Sequence, residues 1–214
     1  VRRMPEEHAG GKWLLRYQSA SGQNGNLEVD INFMYRVPLW RVATMDSHPL
    51  GTWQVTDIQV MDIHELAAGK LTALLSRRKA RDLFDSHRIL HMDGLNFERL
   101  RIAFVVYGAM NRKDWRTVSI GDVDFDVAEL ASQLIPMLRP GAIQETQGAG
   151  NYGKMLVDEC RQTLSAVLPF NSAERQFLDL LLDKTADETL QKCIQQQPLL
   201  EWKALNVRQY KGLS

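Results

Sequence analysis

The hydrophobic period of this chain changes near residue 61, and that change limits the folds open to it. Residues 27–34, LEVDINFM, alternate apolar and polar side chains, which is the period of a β-strand with two unlike faces. From Asp62 onward the apolar residues recur every three or four positions, as they do in amphipathic helices. Strands followed by helices predict an α+β fold, with a small sheet before a helical body.

The strand region predicts an antiparallel hairpin. Residues 13–18 are typical of one strand and 27–34 of its partner, and Asn24-Gly25 between them is a strong turn signal. We expect a third extended segment, 53–60, to join the same sheet. The expected domains are therefore a mixed or antiparallel sheet region, 1–61, and an all-helical region, 62–214.

Helical patterns are predicted for most of the second region. Asp62, with Glu65 three positions later, predicts the N-terminus of the first helix. The expected buried stripe of this helix is Ile63, Leu66, Ala67, Leu71 and Leu74. The further predicted helices are 81–92, 97–110, 126–138, 151–168, 173–184, 187–196 and 198–206.

The composition limits which binding partners the chain can have, and it says little about the reaction. The 214 residues carry 26 basic and 26 acidic side chains, so contact with nucleic acid must come from local patches. The two cysteines, Cys160 and Cys193, lack a metal-ligand spacing, and we expect both to be reduced thiols in a cytoplasmic protein. No apolar run approaches the roughly 18–20 residues that span a bilayer, so no membrane partner is expected.

The acidic strand face has two interpretations. Glu28, Asp30 and Asn32 share one face of the predicted strand, where aspartate is uncommon. The first interpretation is a sheet with one solvated face. The second is a site for Mg²⁺ (or Mn²⁺), because hard cations prefer carboxylate oxygens. In polymerase-like chemistry such ions neutralise a triphosphate and activate the attacking hydroxyl.

The segment 65–85, ELAAGKLTALLSRRKARDLFD, offers cations that suit a phosphate. Lys70 lies at the edge of the apolar stripe, where it either extends to water or presents a point charge to a phosphate. Arg77 follows seven residues later and shares the face of Lys70 if the helix is continuous. Carboxylates on a strand with a lysine and arginines on a helix are the parts that hold a metal–triphosphate, which favours a nucleotide-handling enzyme.

A cluster of cations and acids ends this segment. Arg77, Arg78, Lys79 and Arg81 are followed by Asp82 and Asp85, three residues apart. The cations also suit a solvated helix end, where positive charge complements the helix dipole. The acids either form ordinary ion pairs or orient Arg81 and Lys70.

Other candidate sites are weaker. His87 and His91 have the i,i+4 spacing that can share a metal, but we expect a partly buried surface pair. Asp124 and Asp126 are an alternative metal-binding pair, although they come late in the chain and next to helices. Neither a GxSxG elbow nor a phosphate-binding glycine loop is present.

The chain resembles a known family over almost its whole length. Residues 65–85 resemble the E-L-x-x-x-K-x-x-A-L-x-x-R-x-x-x-R-D-L-Y-D segment of the AbiEii/AbiGii-type toxins of bacterial abortive-infection and toxin–antitoxin systems. GNLEVDINFM is similar to the K-I-E-I-N strand of that family, and SAERQFLDLLLD with QQQPLLEWKALNVRQY resembles its C-terminal helices.

The resemblance implies a polymerase-β-like nucleotidyltransferase domain, partial here, followed by a helical domain. It implies Mg²⁺-dependent transfer of a nucleotide from an NTP to an RNA acceptor such as tRNA, in phage defence, with a cognate antitoxin as a further partner. The positions that match the central motif are Lys70, Arg81, Asp82 and Asp85, and Asp30 matches the strand carboxylate, with Glu28 as a competitor one register away.

One departure from the family bears on activity. Family members carry a glycine–serine or similar turn followed by a D-x-D pair that binds the metals, and here Gly10-Gly11 is followed by Lys12. We therefore expect that an N-terminal part is missing and that this polypeptide is inactive alone. Two alternatives stay open: a non-catalytic helical module that binds RNA or an antitoxin, and a metal-dependent nuclease. The nuclease needs a lysine close to Glu28 and Asp30.

Overall fold

The computed structural model describes residues 2–4, 10–19, 21–32, 38–111, 113–139, 141–142 and 148–182. These residues divide into two units, one up to Pro38 and one from Leu39 onward. Within the described ranges, the first unit contains strands, and the second contains helices together with a short pair of strands. The predicted α+β class is confirmed.

The first unit is a three-stranded antiparallel sheet in the order β1-β2-β3, with β1 Arg2–Met4, β2 Gly10–Gln18 and β3 Asn24–Asn32. The predicted hairpin is present, but Asn24 and Gly25 are the first residues of β3 and not its turn. Gly22 makes the turn with φ of 81°, which glycine adopts without steric cost. Gly25 lies opposite Tyr17, whose ring occupies the space that a Cβ would need.

The short strands of the second unit correct one prediction. Strand β5, Ile58–Val60, pairs antiparallel with β4, Ala43–Met45, in a separate two-stranded sheet. The expectation that residues 53–60 join the first sheet is therefore wrong. The intervening chain turns back through a Leu50–Trp53 bridge, so β5 meets the segment nearest to it in sequence.

The described residues form six α-helices: α1 Ile63–Arg77, α2 Ala80–Leu90, α3 Phe97–Ala109, α4 Val127–Glu129, α5 Ala149–Leu164 and α6 Ser172–Leu182. The predicted helix over 126–138 begins as α4 but continues as a π-helical turn, Leu130–Leu134, and a 3₁₀ turn, Ile135–Met137. Pro136 supplies no N–H, so a regular α-helix cannot continue through it. The helices predicted at 187–196 and 198–206 lie outside the described residues.

The core of the second unit forms where α1 packs against α2 and α3. On α1 the fully buried side chains include Ala67, Leu71 and Leu74, as predicted. Leu66 is 41% exposed, which corrects its predicted place in the stripe. Because α1 contacts two helices, its buried face centres on Ala68 and Leu71 and turns Leu66 outward.

Two other core features bear on stability and thiol chemistry. Trp115 is fully buried, and its indole lies so close to Gly108 of α3 that a Cβ there would overlap it. Cys160 of α5 is a free, buried thiol whose pKa is raised by burial to about 12. Cys193 lies outside the described residues.

Candidate functional site

Helices α1 and α2 bring Lys70 and Asp85 together. Lys70 Nζ donates a hydrogen bond to Asp85 Oδ2 at 2.7 Å, and about half of each side chain is exposed. Because α1 is continuous to Arg77, Lys70 and Arg77 do share a face, as predicted. The Lys70 ammonium is thus held by a carboxylate yet remains within reach of a solvent-borne anion.

Asp82 is paired with Arg77. The guanidinium donates from Nε to Oδ2 at 3.0 Å and from a terminal nitrogen to Oδ1 at 2.8 Å, which is a two-point contact. The prediction that the acids orient Arg81 is wrong for Asp82, because neighbouring residues on a helix point in different directions. Arg77 ends α1 and only two residues separate it from the start of α2, so its guanidinium can reach the first turn of α2.

The two residues between these helices are also paired. Arg78 has φ of 54° and its N–H bonds the Leu74 carbonyl, a left-handed C-cap in which glycine is more usual. Its guanidinium contacts Asp122 at 2.9 Å, and Lys79 contacts Glu129 at 3.6 Å. Three cations of segment 77–81, namely Arg77, Arg78 and Lys79, therefore have acidic partners. These partners reduce the positive potential that an external phosphate would meet.

Asp122 collects several donors. Partial burial acts to raise its pKa, but the Ser119 N–H and the Lys113 and Arg78 cations outweigh burial, and the net pKa is lowered. Lys113 Nζ lies 3.3 Å from the carboxylate. The acid is therefore a charged anchor beneath the α1–α2 connection.

Arg81 differs from the other cations of the run. Its side chain is exposed and forms no ion pair with the described part of the chain. It borders an open hollow of about 340 Å³ that is lined by Lys79, Ala80, Arg81, Glu129, Gln133, Leu134 and Met137. Among the predicted binding residues, Arg81 is thus the cation that no acidic group in the described ranges pairs with, and it suits an external partner.

The strand acids lie in the first unit, on the exposed face of β3. Lys12 Nζ is 2.7 Å from Glu28 and 3.9 Å from Asp30. The hydrogen bond to Glu28 is the main reason that the pKa of Lys12 is raised. This lysine was not among the predicted site residues, although its cross-strand pairing with Asp30 follows from the hairpin register.

At the start of α1, Glu65 does not act as the predicted capping acid. Its side chain is fully buried and accepts hydrogen bonds from the backbone N–H groups of Leu39 and Trp40, at 2.8 and 3.2 Å. The Tyr107 hydroxyl donates a third bond at 3.1 Å. Sequence reasoning missed this contact because its partners lie about 25 and 42 residues away.

Asp62 is the N-cap of α1, as predicted. Its Oδ1 accepts from the backbone N–H and the Nδ1 of His64, at 2.9 and 2.6 Å, and its Oδ2 accepts from Arg99 at 3.0 Å. His64 Nε2 accepts from the Asn96 N–H, so Nδ1 carries the ring proton. Burial acts to raise the pKa of Asp62, but these His64 and Arg99 contacts prevail and the net pKa is lowered.

The alternative acidic pair has local hydrogen bonds. Asp126 Oδ1 accepts from the Ala128 and Glu129 N–H groups and so caps α4. Asp124 Oδ1 accepts from the Phe125 N–H. Helix capping is thus a sufficient reason for an aspartate at position 126.

The chain matches a known protein family over most of its length. Residues 1–203 match the family model described as nucleotidyl transferase AbiEii toxin, type IV toxin–antitoxin system, which confirms the resemblance drawn from the sequence. No curated protein and no solved structure matches the chain. Within the described ranges, every helix falls short of the length and apolar character that a bilayer crossing requires.

Proposed function

Since the chain belongs to the AbiEii nucleotidyl transferase toxin family of type IV toxin–antitoxin systems, we propose that it takes part in transferring a nucleotide from an NTP to an RNA acceptor such as tRNA. The family implies a transferase with a nucleotide substrate and a cognate antitoxin. The RNA acceptor, the use of Mg²⁺ or Mn²⁺, the polymerase-β-like origin of the strand region and the role in phage defence are our proposals.

The observation that carries this proposal is the pair of contacts between α1 and α2. Asp85 holds Lys70 and Asp82 holds Arg77. Lys70, Asp82 and Asp85 are matching positions of the family motif. Each ion pair restricts the conformations of the lysine or arginine side chain before a ligand binds. Less side-chain entropy is therefore lost on binding. We assign Lys70 to a substrate phosphate, with Asp85 positioning it.

Arg77 and Arg81 have different parts in this scheme. Arg77 is fixed by a two-point contact to the buried Asp82 carboxylate. We therefore assign it a structural and electrostatic role, without direct contact to the substrate. Arg81 is exposed, without an ion pair among the described residues, and suits direct contact with a triphosphate or an RNA backbone.

Glu28 and Asp30 carry the proposed metal-binding role. Their exposed carboxylates are the oxygen donors that Mg²⁺ prefers, and they fit the ion if Lys12 moves aside. When bound, the ion would neutralise the triphosphate and activate the attacking hydroxyl. Asp30 is also the residue that would assist the acceptor.

The experiment measures binding first, because transfer by this chain alone is expected to be absent. Titration with an NTP and Mg²⁺ is compared for the chain and for Lys70→Ala, which is expected to bind at least about tenfold more weakly, since a direct charged contact is worth about 1.5–3 kcal/mol. Lys154→Ala is the matched control, because Lys154 is exposed on α5 and forms no ion pair with the described residues.

Transfer is then measured with labelled NTP, Mg²⁺ and bulk tRNA. We expect no labelling by residues 1–214, because Gly10-Gly11 is followed by Lys12 and not by the D-x-D pair of the family. Equal NTP binding by Lys70→Ala and the native chain would refute the phosphate role. Robust labelling by residues 1–214 would refute the expected inactivity.

A binding module without catalysis is the first alternative. Reversing the charges of Arg77, Arg78 and Lys79 together would break three ion pairs. A loss of binding could then reflect a loss of structure. Arg81→Glu is a cleaner test, because the charge of Arg81 is not paired within the described residues. Loss of RNA or antitoxin binding in Arg81→Glu, with unchanged NTP binding in Lys70→Ala, would favour the module.

One contact favours the nuclease as a further alternative. Lys12 supplies the lysine near Glu28 and Asp30 that this chemistry requires. Mg²⁺-dependent cleavage of RNA or DNA that is lost in both Lys12→Ala and Asp30→Asn, without nucleotide transfer, would replace our proposal with this one.

A further inference from the structure

Helices α2 and α5 bring two histidines and a glutamate into one cluster that the proposed reaction does not use. His87 and His91 lie one turn apart at the end of α2, and Glu159 reaches them from α5. One potential ligand atom from each residue lies within 4.8 Å of the other two. From this geometry we propose that His87, His91 and Glu159 bind a Zn²⁺-type transition-metal ion that links α2 to α5.

Small side-chain shifts would bring the ligand atoms to the spacing around a bound ion, with the metal replacing the hydrogen bond between His87 and Glu159. Glu159 Oε2 lies 2.5 Å from His87 Nε2 and 3.9 Å from His91 Nε2. Zinc bonds of about 2.0–2.1 Å in a tetrahedron put neighbouring ligand atoms about 3.3 Å apart. The first distance must lengthen and the second shorten, each by less than about 1 Å, which side-chain rotation provides.

The hydrogen bonding of His91 prepares its ring to act as a ligand. His91 Nδ1 lies 2.7 Å from the His87 carbonyl oxygen, to which it donates its proton. In the neutral imidazole this tautomer has its lone pair on Nε2, which lies 3.9 Å from Glu159 Oε2. Metal-binding histidines commonly donate their other ring N–H in this way, which fixes both tautomer and ring orientation.

The donor set selects the class of metal. Two imidazole nitrogens and one carboxylate oxygen suit Zn²⁺, Co²⁺, Ni²⁺ or Cu²⁺, whereas Mg²⁺ prefers oxygen ligands. His87 is mostly buried, while nearly half of each of His91 and Glu159 is exposed. The ion can therefore enter from solvent, and a fourth position stays open to water. These ligands differ from Glu28 and Asp30, the residues proposed to bind Mg²⁺.

The test is a titration of the metal-free full chain with Zn²⁺ by calorimetry, and with Co²⁺ by visible absorption. We expect one equivalent to bind at the cluster, with a rise in the thermal unfolding midpoint. His91→Gln and Glu159→Gln are expected to weaken this binding at least about tenfold. Both positions are half exposed, so these variants retain the fold, which circular dichroism without metal verifies.

Two histidine variants serve as matched controls. His48 is exposed and its ring hydrogen-bonds the Pro49 carbonyl, and His8 lies outside the described residues. His48→Gln and His8→Gln should bind Zn²⁺ as the native chain does. The proposal is overturned if the native chain shows no saturable binding, if His91→Gln binds equally well, or if a control variant removes the binding instead.

Discussion

Lys70 Nζ lies 2.7 Å from Asp85 Oδ2, a contact that joins two positions of the family motif across consecutive helices. The residues are 15 apart in sequence, and the short connection between α1 and α2 brings them together. The pair is half exposed, so water and salt weaken it. We therefore regard it as a means of positioning the ammonium group, with little effect on stability.

The first prediction separates these two effects. Lys70→Ala should lower the free energy of unfolding by less than about 1 kcal/mol, because exposed ion pairs contribute little. A double-mutant cycle with Asp85→Asn, measured by urea unfolding, should give a coupling energy of about 0.2–1 kcal/mol. A coupling of several kcal/mol would mean that the pair is mainly structural, and Lys154→Ala provides the baseline.

Asp82 should behave differently from Asp85. It is 2% exposed and accepts two hydrogen bonds from Arg77, so Asp82→Asn leaves a guanidinium with a poorer acceptor. We expect a loss of about 1–3 kcal/mol in the free energy of unfolding. Asp85→Asn, measured in the same urea series, should cost less, and an equal or larger loss there would contradict the assignment of Asp82 as the structural acid.

Gly108 is required by packing. A methyl group there would overlap the buried Trp115 indole, so Gly108→Ala should destabilise the protein by about 1–3 kcal/mol. Gly69 of α1 is the matched control, because a Cβ there would meet Tyr107 at an ordinary 3.8 Å. Gly69→Ala should be neutral or stabilising by up to about 1 kcal/mol, since alanine favours helix. Thermal unfolding compares them, and equal midpoints would refute the clash.

Asp62 should contribute to the acid sensitivity of the fold. Its pKa in the folded protein lies below the usual 3.8, so its stabilisation is full above the unfolded pKa and is lost as the pH falls through the folded pKa. Asp62→Asn keeps a capping side chain but loses the charge that holds Arg99, and should cost about 1–2 kcal/mol at neutral pH.

The difference between Asp62→Asn and the native chain should shrink as the pH is lowered below about 4, because the native carboxyl becomes neutral too. Urea unfolding at several pH values measures it. Asp93→Asn is the control, since Asp93 is exposed and unpaired among the described residues. A difference that stays constant with pH would show that the charge of Asp62 is not the cause.

Several elements were predictable because their signals are local. The β2–β3 hairpin follows from alternation in 27–34, and the N-cap of α1 follows from Asp62 before an apolar period. The continuity of α1 to Arg77 places Lys70 and Arg77 on one face, as helical spacing required. The family assignment also rests on sequence, because the motif residues stand at fixed spacings in 65–85.

The partners of the charged residues were decided by the tertiary structure. Spacing predicted that Asp82 or Asp85 would orient Lys70 and Arg81. The turn at Arg78 instead brings Arg77 to Asp82, and the Arg81 side chain is exposed. Glu65 fits a capping pattern in sequence, yet it is buried against Leu39, Trp40 and Tyr107. The physical reason is that helices and strands depend mainly on residues close in sequence. An ion pair depends on how segments distant in sequence pack together. Glu159 beside His87 and His91 is the clearest case, since 72 residues separate its carboxylate from the first ring it meets.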